Sequence, residues 1–470
     1  MIFKKNLTLI IWCAAIVWSI MGILSWSHLP VEVRPGGLRL TFNSMIDHML
    51  HGHFDVDPKT VEEEGFLRDG KVYAYWGIFP SLLRLPVLLF PNGLHWDVTR
   101  LSSILAVLMI LFFNYRTWRF VSDRYLGGNS WVSLCLAIAL AFSGEQVCFF
   151  EHSLYQEVCF WALAFASWFV YCAIRVLCEK EYWRYGGLYM SIAASCALLT
   201  RVSMGIGLYA ALLCFLIIYF YRWCRSFRTK EDGVTLPSIV VPAVISVLAI
   251  IVTGYVNYRR WGNPLTFANY DLYLYNVEFP SRVLRTKTYG LFNLQRFYLG
   301  IVYFFVPIWI FQKADGHYVL QDSFTRLIDA NELPPSSFFL TDGFMLLCGG
   351  LLIAGLFRKN RVFPVSRAAF ASIAVSLAIP AFLMMIAISM NYRYRAEFYP
   401  DIVFLGTLGC VYLYRNLRDV TFLKKTLITL LVISVVFSNL NIALYGESEL
   451  GPAYMYIKNG VFSYYTHRMF

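Results

Sequence analysis

Charge is the scarcest commodity in this chain. Asp, Glu, Lys and Arg make up 15% of the residues against 58% hydrophobic ones, at a mean hydropathy of +0.56. A soluble domain carries roughly a quarter charged residues, so that class is excluded. Paired cysteines are missing as well. The eleven cysteines fall singly in apolar runs with no CxxC pair, which argues against both a disulfide framework and a zinc ribbon. No Gly- or Ser-rich linker divides the chain, and no short repeat is visible. The formal net charge of +11 lies mainly in the gaps between apolar runs. It therefore reads as topology and contact with anionic lipid, not as nucleic-acid binding.

What is present is a series of apolar runs of about 17–25 residues, long enough to cross a hydrocarbon core of roughly 30 Å. Unbroken runs of this kind form helices, not a barrel. The expected spans are 7–26, 98–121, 131–149, 155–178, 184–201, 203–222, 237–257, 340–357, 367–390, 398–415 and 425–446. Nearly every second gap is basic, from Lys4 and Lys5 to Arg415, Arg418, Lys424 and Lys425. Basic gaps stay on the cytoplasmic side. The amino terminus is thus expected inside, the carboxyl terminus outside, and the first run is an uncleaved span. Residues 78–90 carry Pro80, Arg84 and Pro86 and are expected to lie on the outer face, as are residues 291–312. The expected fold is all-α. It is a polytopic membrane bundle of about eleven spans with ordered outer loops and interfacial helices. One domain covers 1–446, including outer loops 27–97 and 257–340, and 447–470 is a short outer-face tail.

Charged residues that break the inside rule mark where to look for chemistry. In the first outer loop, Asp47, Asp55 and Asp57 stand near His48, His51 and His53. One of these carboxylates is a candidate proton acceptor. The plain alternative is solvated loop residues. His48 and His51, with the neighbouring acids, are weak candidates for a divalent metal, in a spacing that matches no standard motif. Glu145, Glu151 and Glu157 flank a short outer turn. Glu157 either faces a cavity or pairs with a helix dipole, and Glu145, which interrupts an apolar run, is the next candidate base after the first-loop aspartates. Arg201 sits in Thr200-Arg201-Val-Ser203 at the outer junction of two spans, with no acid beside it in sequence. A guanidinium there can grip a phosphate or snorkel to headgroups. Arg259, Arg260, Arg282, Arg285, Lys287 and Arg296 form a second outer group. Arg393 and Arg395, with Glu397 and Asp401, form a third, read either as a phosphate contact or as an internal salt-bridge cluster.

Several phrases resemble the GT-C superfamily of integral membrane glycosyltransferases. A first inward-to-outward span is followed by a long acid-bearing loop. The segment Asp69-Gly70-Lys-Val-Tyr73-Ala-Tyr75-Trp76-Gly-Ile-Phe-Pro80 is similar to the tyrosine- and proline-bearing stretch of those enzymes. Thr200-Arg201, Arg260-Trp-Gly262-Asn263-Pro264 and Tyr394-Arg395-Ala-Glu397-Phe-Tyr399-Pro400 resemble phrases in mannosyl- and arabinosyltransferases. The resemblance implies a polyprenyl-phosphate-linked sugar donor and a lipid, glycan or protein acceptor. It also implies a first-loop acid as base; Arg201, Arg260, Arg393, Arg395, Tyr75 and Glu157 are the candidate substrate-binding residues. The setting is the outer face of a bacterial inner membrane. A lipid-linked polysaccharide polymerase or ligase, and a transporter or flippase, are the alternatives.

Overall fold

The computed structural model describes residues 2–25, 37–128, 130–146, 153–179, 181–229, 235–277, 280–306, 320–329, 337–357, 367–417 and 420–446. Glu151 and the 447–470 tail lie outside the described residues. The protein is an all-α bundle. Its helices are α1 (Ile2–Ser25), α2 (Thr41–Leu50), α3 (Pro58–Val61), α4 (Phe79–Leu82), α5 (Thr99–Tyr125), α6 (Trp131–Phe142), α7 (Leu154–Cys178), α8 (Trp183–Thr200), α9 (Val202–Thr229), α10 (Pro237–Trp261), α11 (Pro280–Tyr289), α12 (Phe297–Phe305), α13 (Gln321–Leu327), α14 (Phe338–Thr341), α15 (Gly343–Phe357), α16 (Arg367–Leu377), α17 (Ile379–Met385), α18 (Tyr399–Asn416) and α19 (Thr421–Gly446).

Each of the eleven expected spans falls on a helix or helix pair. Among the described residues seven helices are both long and apolar enough to cross a membrane: α1, α5, α7, α9, α10, the α16–α17 pair and α19. The expected count of eleven drops because four helices are too short or too polar. α6 and α15 have 12 and 15 residues, about 18 and 22 Å at the helical rise. Small and hydroxyl residues dilute α8, and charge and hydroxyls dilute α18. A turn at Ala378, ahead of Pro380, separates α16 from α17, as proline's missing donor requires.

The helix ends follow local chemistry. α10 begins at Pro237 and stops at Gly262, whose φ of +75° closes the last turn. Ser130 caps α6 by accepting from the Ser133 N–H at 3.2 Å. The buried centre is α7, which packs on α5 and α8. α8 runs against α10, α9 against α16, and α15 along α18. In residues 78–90 the short α4 and a 3₁₀ turn at Leu85–Leu89 replace any continuous helix. In 291–312 the described helix is α12, nine residues long, about 13 Å.

The two long loops fold onto one end of this bundle and onto each other. Strands β1 (Phe66–Arg68) and β2 (Lys71–Tyr73) pair antiparallel, with Phe66 opposite Tyr73. Asp69 and Gly70 form their turn at φ of +50° and +75°, the geometry that Asp-Gly tolerates best. The Leu274 N–H donates to the Gly65 carbonyl at 2.9 Å, and Phe66 bridges Tyr273. The first loop is therefore tied to the second through a core of Phe66, Tyr73, Trp261 and Tyr273.

Candidate anion-binding cavity

α8 and α9 are separated by one residue. Arg201 adopts an extended backbone (φ −149°, ψ 111°) between Thr200 and Val202, so its side chain leaves the helix pair at the turn. Gly205 permits the crossing, because a Cβ there would press into Leu198 at 2.6 Å. Gly77 likewise lets the first loop lie directly on the end of α8, where a Cβ would collide with the Leu199 and Thr200 carbonyls.

These approaches enclose a cavity of about 560 Å³. Its walls come from Tyr75 to Ile78, the α8–α9 turn, the last two turns of α10, residues 265–270, α17 and Tyr394. Most of the lining is apolar or aromatic. The charged lining residues are Arg201 and Arg260.

The two arginines are held differently. Arg201 places Nε on Oε1 of Glu397, and the Ser203 hydroxyl donates to the same oxygen at 2.7 Å. Its guanidinium carbon stands 5.1 Å from the ring centroid of Tyr394. Among the described residues its Nη atoms have no oxygen acceptor; Nη2 is 3.9 Å from the Met384 sulfur. The Glu397 carboxylate pairs with its charge. Arg260, 2% exposed, donates Nη1 to the Trp76 carbonyl at 2.8 Å and points Nη2 at the Met45 sulfur, 3.5 Å away. Its Nε has no partner, and it makes no ion pair among the described residues. A buried guanidinium without a carboxylate is costly. The cavity therefore carries more positive charge than the protein neutralises.

A second cavity of about 570 Å³ adjoins the first. It lies along α10 and is lined by Ile250, Ile251, Gly254, Tyr255 and Tyr258, with Pro264 from the following loop. Leu198, Thr253, Leu265 and Phe267 belong to both walls. The outer face of α10 beside it exposes Val244, Val247, Leu248 and Ile251.

The other sequence candidates lie elsewhere. Tyr75 lines the cavity, with its ring 4.5 Å from that of Trp76. Asp47, Asp55 and Asp57 do not line it. Asp57 caps α3 by accepting from the Lys59 N–H at 3.0 Å. Asp55 stands 3.4 Å from His48 and 3.5 Å from Lys71, and Asp47 stands 3.8 Å from His51. The two histidines thus serve different acids. No group of three His, Cys, Asp or Glu side chains converges among the described residues, and these residues do not fit a bound divalent ion.

Glu157 lies fully buried against Arg84, whose Nη2 donates at 2.8 Å while Nε donates to Asn43 at 3.2 Å. That pair fastens the first loop to α7. Arg395 donates to Thr341 at 2.6 Å and to Asp342 at 3.3 Å. Glu145 accepts from Asn114 at 2.6 Å, near Asp342 in the same interior cluster. Arg393 sits over Tyr155 at 4.5 Å. Of the expected grouping of Arg393, Arg395, Glu397 and Asp401, Arg395 turns to Thr341 and Asp342 while Glu397 turns to Arg201.

Glu64 was not among the sequence candidates. Glu64 accepts from the Tyr273 hydroxyl at 2.5 Å and from the Tyr155 hydroxyl. Burial and then nearby phenols push the Tyr75 pKa well up, with the Glu64 charge contributing. Burial, Tyr394 and Glu64 likewise raise that of Tyr270. Both tyrosines line the cavity and stay neutral. The available signal was the run Glu62-Glu63-Glu64 before Gly65, where Glu62 takes a positive φ of 48°.

No protein-family model matches the chain, and no curated protein matches it significantly. Among solved structures, the apo oligosaccharyltransferase of Archaeoglobus fulgidus aligns at 13% identity and a TM-score of 0.44, covering 94% of this chain and 56% of that one. The AglB oligosaccharyltransferase of the same organism, solved with an inhibitory peptide and a dolichol-phosphate, aligns at 15% identity and a TM-score of 0.45, covering 96% and 56%. The chain thus spans a little over half the length of those structures, and likeness at this level carries no argument about chemistry.

Proposed function

We propose that this chain is a GT-C-type membrane glycosyltransferase, taking a sugar from a polyprenyl-phosphate carrier and placing it on a lipid, glycan or protein acceptor. The setting is the outer face of a bacterial inner membrane, with the amino terminus cytoplasmic and the carboxyl terminus outside, as the basic gaps argue. One observation carries the reading: a cavity with uncompensated guanidinium charge shares four wall residues with an adjoining apolar groove. A ligand with an anionic head and a hydrocarbon tail fits both halves, and neither a free sugar nor a soluble nucleotide fits the groove.

In this reading Arg201 and Arg260 hold the phosphate and offset the charge it gains as the sugar leaves. Glu64 does not line the cavity either, but it is the first-loop acid whose charge acts on the lining residues Tyr75 and Tyr270, and it is the proposed base in place of Asp47, Asp55 and Asp57. It takes the proton from the acceptor group. The acceptor atom then bonds to the anomeric carbon, and the sugar–phosphate C–O bond breaks with its electron pair passing to the lipid phosphate. The phenols of Tyr155 and Tyr273 orient the carboxylate.

The test is transfer from a labelled polyprenyl-phosphate sugar in membranes containing the chain. Arg201→Ala and Glu64→Gln should each lower transfer by about a hundredfold or more with insertion unchanged. Full transfer in Arg201→Ala would sink the phosphate role. Full transfer in Glu64→Gln would remove only the acid.

A further inference from the structure

We infer that Glu397 is a positioning residue: it holds the Arg201 guanidinium by its Nε, so that the two terminal nitrogens face the ligand. The inference rests on the lipid-phosphate reading above and adds to it a residue outside the cavity. Glu397 is fully buried and does not line the cavity; it reaches the cavity through Arg201 and Ser203, which do.

The 3₁₀ turn Tyr392–Glu397 builds the support. Side chains three apart in such a turn eclipse one another, so Tyr394 and Glu397 act on the same guanidinium. Glu397 takes the Nε hydrogen bond, and the Tyr394 ring centroid stands 5.1 Å from the guanidinium carbon. From α9 the Ser203 hydroxyl donates to the same Oε1 at 2.7 Å and fixes the carboxylate. Nη2 is left 3.9 Å from the Met384 sulfur, a weak acceptor that a phosphate oxygen outcompetes. An arginine held this way offers its terminal nitrogens as a fork for an oxyanion.

The neighbouring cations are committed differently. Arg260 spends Nη1 on the Trp76 carbonyl and turns Nη2 to Met45, so it acts through its charge. Arg282 and Arg285 share Asp329 at 2.5 and 3.0 Å, and Arg296 donates to the carbonyls of Leu327, Leu291, Ile386 and Gly290. These three do not line the cavity. Hydrogen-bond geometry at the ligand therefore falls to Arg201, and Glu397 sets it.

The rival role for Glu397 is plain neutralisation of a buried charge, and it predicts the opposite sign. Binding of the methyl diester of farnesyl phosphate is measured on the full chain in detergent micelles. Glu397→Leu and Glu397→Gln remove the same charge, but Gln keeps an oxygen for Arg201 and Ser203. Positioning predicts that Leu weakens binding by about tenfold or more and that Gln restores most of the loss. Equal changes in the two variants overturn the inference; a shared tightening is what neutralisation alone gives, since each variant leaves extra positive charge beside an anion. Arg201→Lys keeps the inference falsifiable if Glu397→Leu misfolds. A single ammonium cannot give one nitrogen to Glu397 and a separate fork to the phosphate. Binding by Arg201→Lys should fall by about tenfold, and adding Glu397→Gln should recover part of it. Native-like binding by Arg201→Lys overturns the inference while leaving the lipid-phosphate reading in place. Absence of binding by the native protein overturns that reading, and the inference with it.

Discussion

Two fully buried arginines, Arg260 and Arg395, sit in this bundle with opposite surroundings. Arg395 lies among Thr341, Asp342 and the ring of Phe338, 3.8 Å from its guanidinium carbon. Arg260 meets a carbonyl, a sulfur and a cavity. Arg84 belongs with Arg395, since Glu157 answers it at 2.8 Å. A buried guanidinium with a carboxylate holds elements together. One without a carboxylate, next to open space, is kept at a cost that structure alone does not repay.

That contrast can be broken most sharply at a paired site. Glu157→Gln leaves Arg84 buried with weakened compensation and should cost about 3–5 kcal/mol of stability, read from thermal or denaturant unfolding in detergent. A cost under about 1 kcal/mol would mean that pairing is not what secures the first loop. At the unpaired site the sign differs. Arg260→Met removes a charge that nothing answers, so unfolding should stay within about 0.5 kcal/mol of the native protein or become harder. Transfer should nevertheless fall by about a hundredfold. Strong destabilisation there would recast Arg260 as a clamp for Trp76. The smallest expected effect concerns the exposed acids. Asp57→Ala should cost about 0.5–1 kcal/mol through the lost cap on α3 and leave transfer unchanged; a null in the transfer assay would return that aspartate to the chemistry.

Legibility from sequence divided along a physical line. Arg201 was recognisable because a lone cation at the junction of two apolar runs breaks a one-dimensional rule. Tyr75 was recognisable through its phrase, and the Asp69-Gly70 turn sits within that same phrase. Glu157 and Arg395 looked like ligands because their partners, Arg84 and Asp342, are 73 and 53 residues away. Glu64 was passed over because its neighbours Glu62 and Glu63 are exposed, and only the strained backbone at Glu62 and the packing of Tyr155 and Tyr273 set it apart.

Hydropathy alone therefore determined where the helices run, which loops are long and that the chain is built for a membrane, since burial in lipid depends on the local run of side chains. Tertiary structure alone decided which charges cancel. Arg201 and Glu397 are 196 residues apart. Pairing energy depends on distance through space and on the loss of water at the contact, and no spacing along the chain records either.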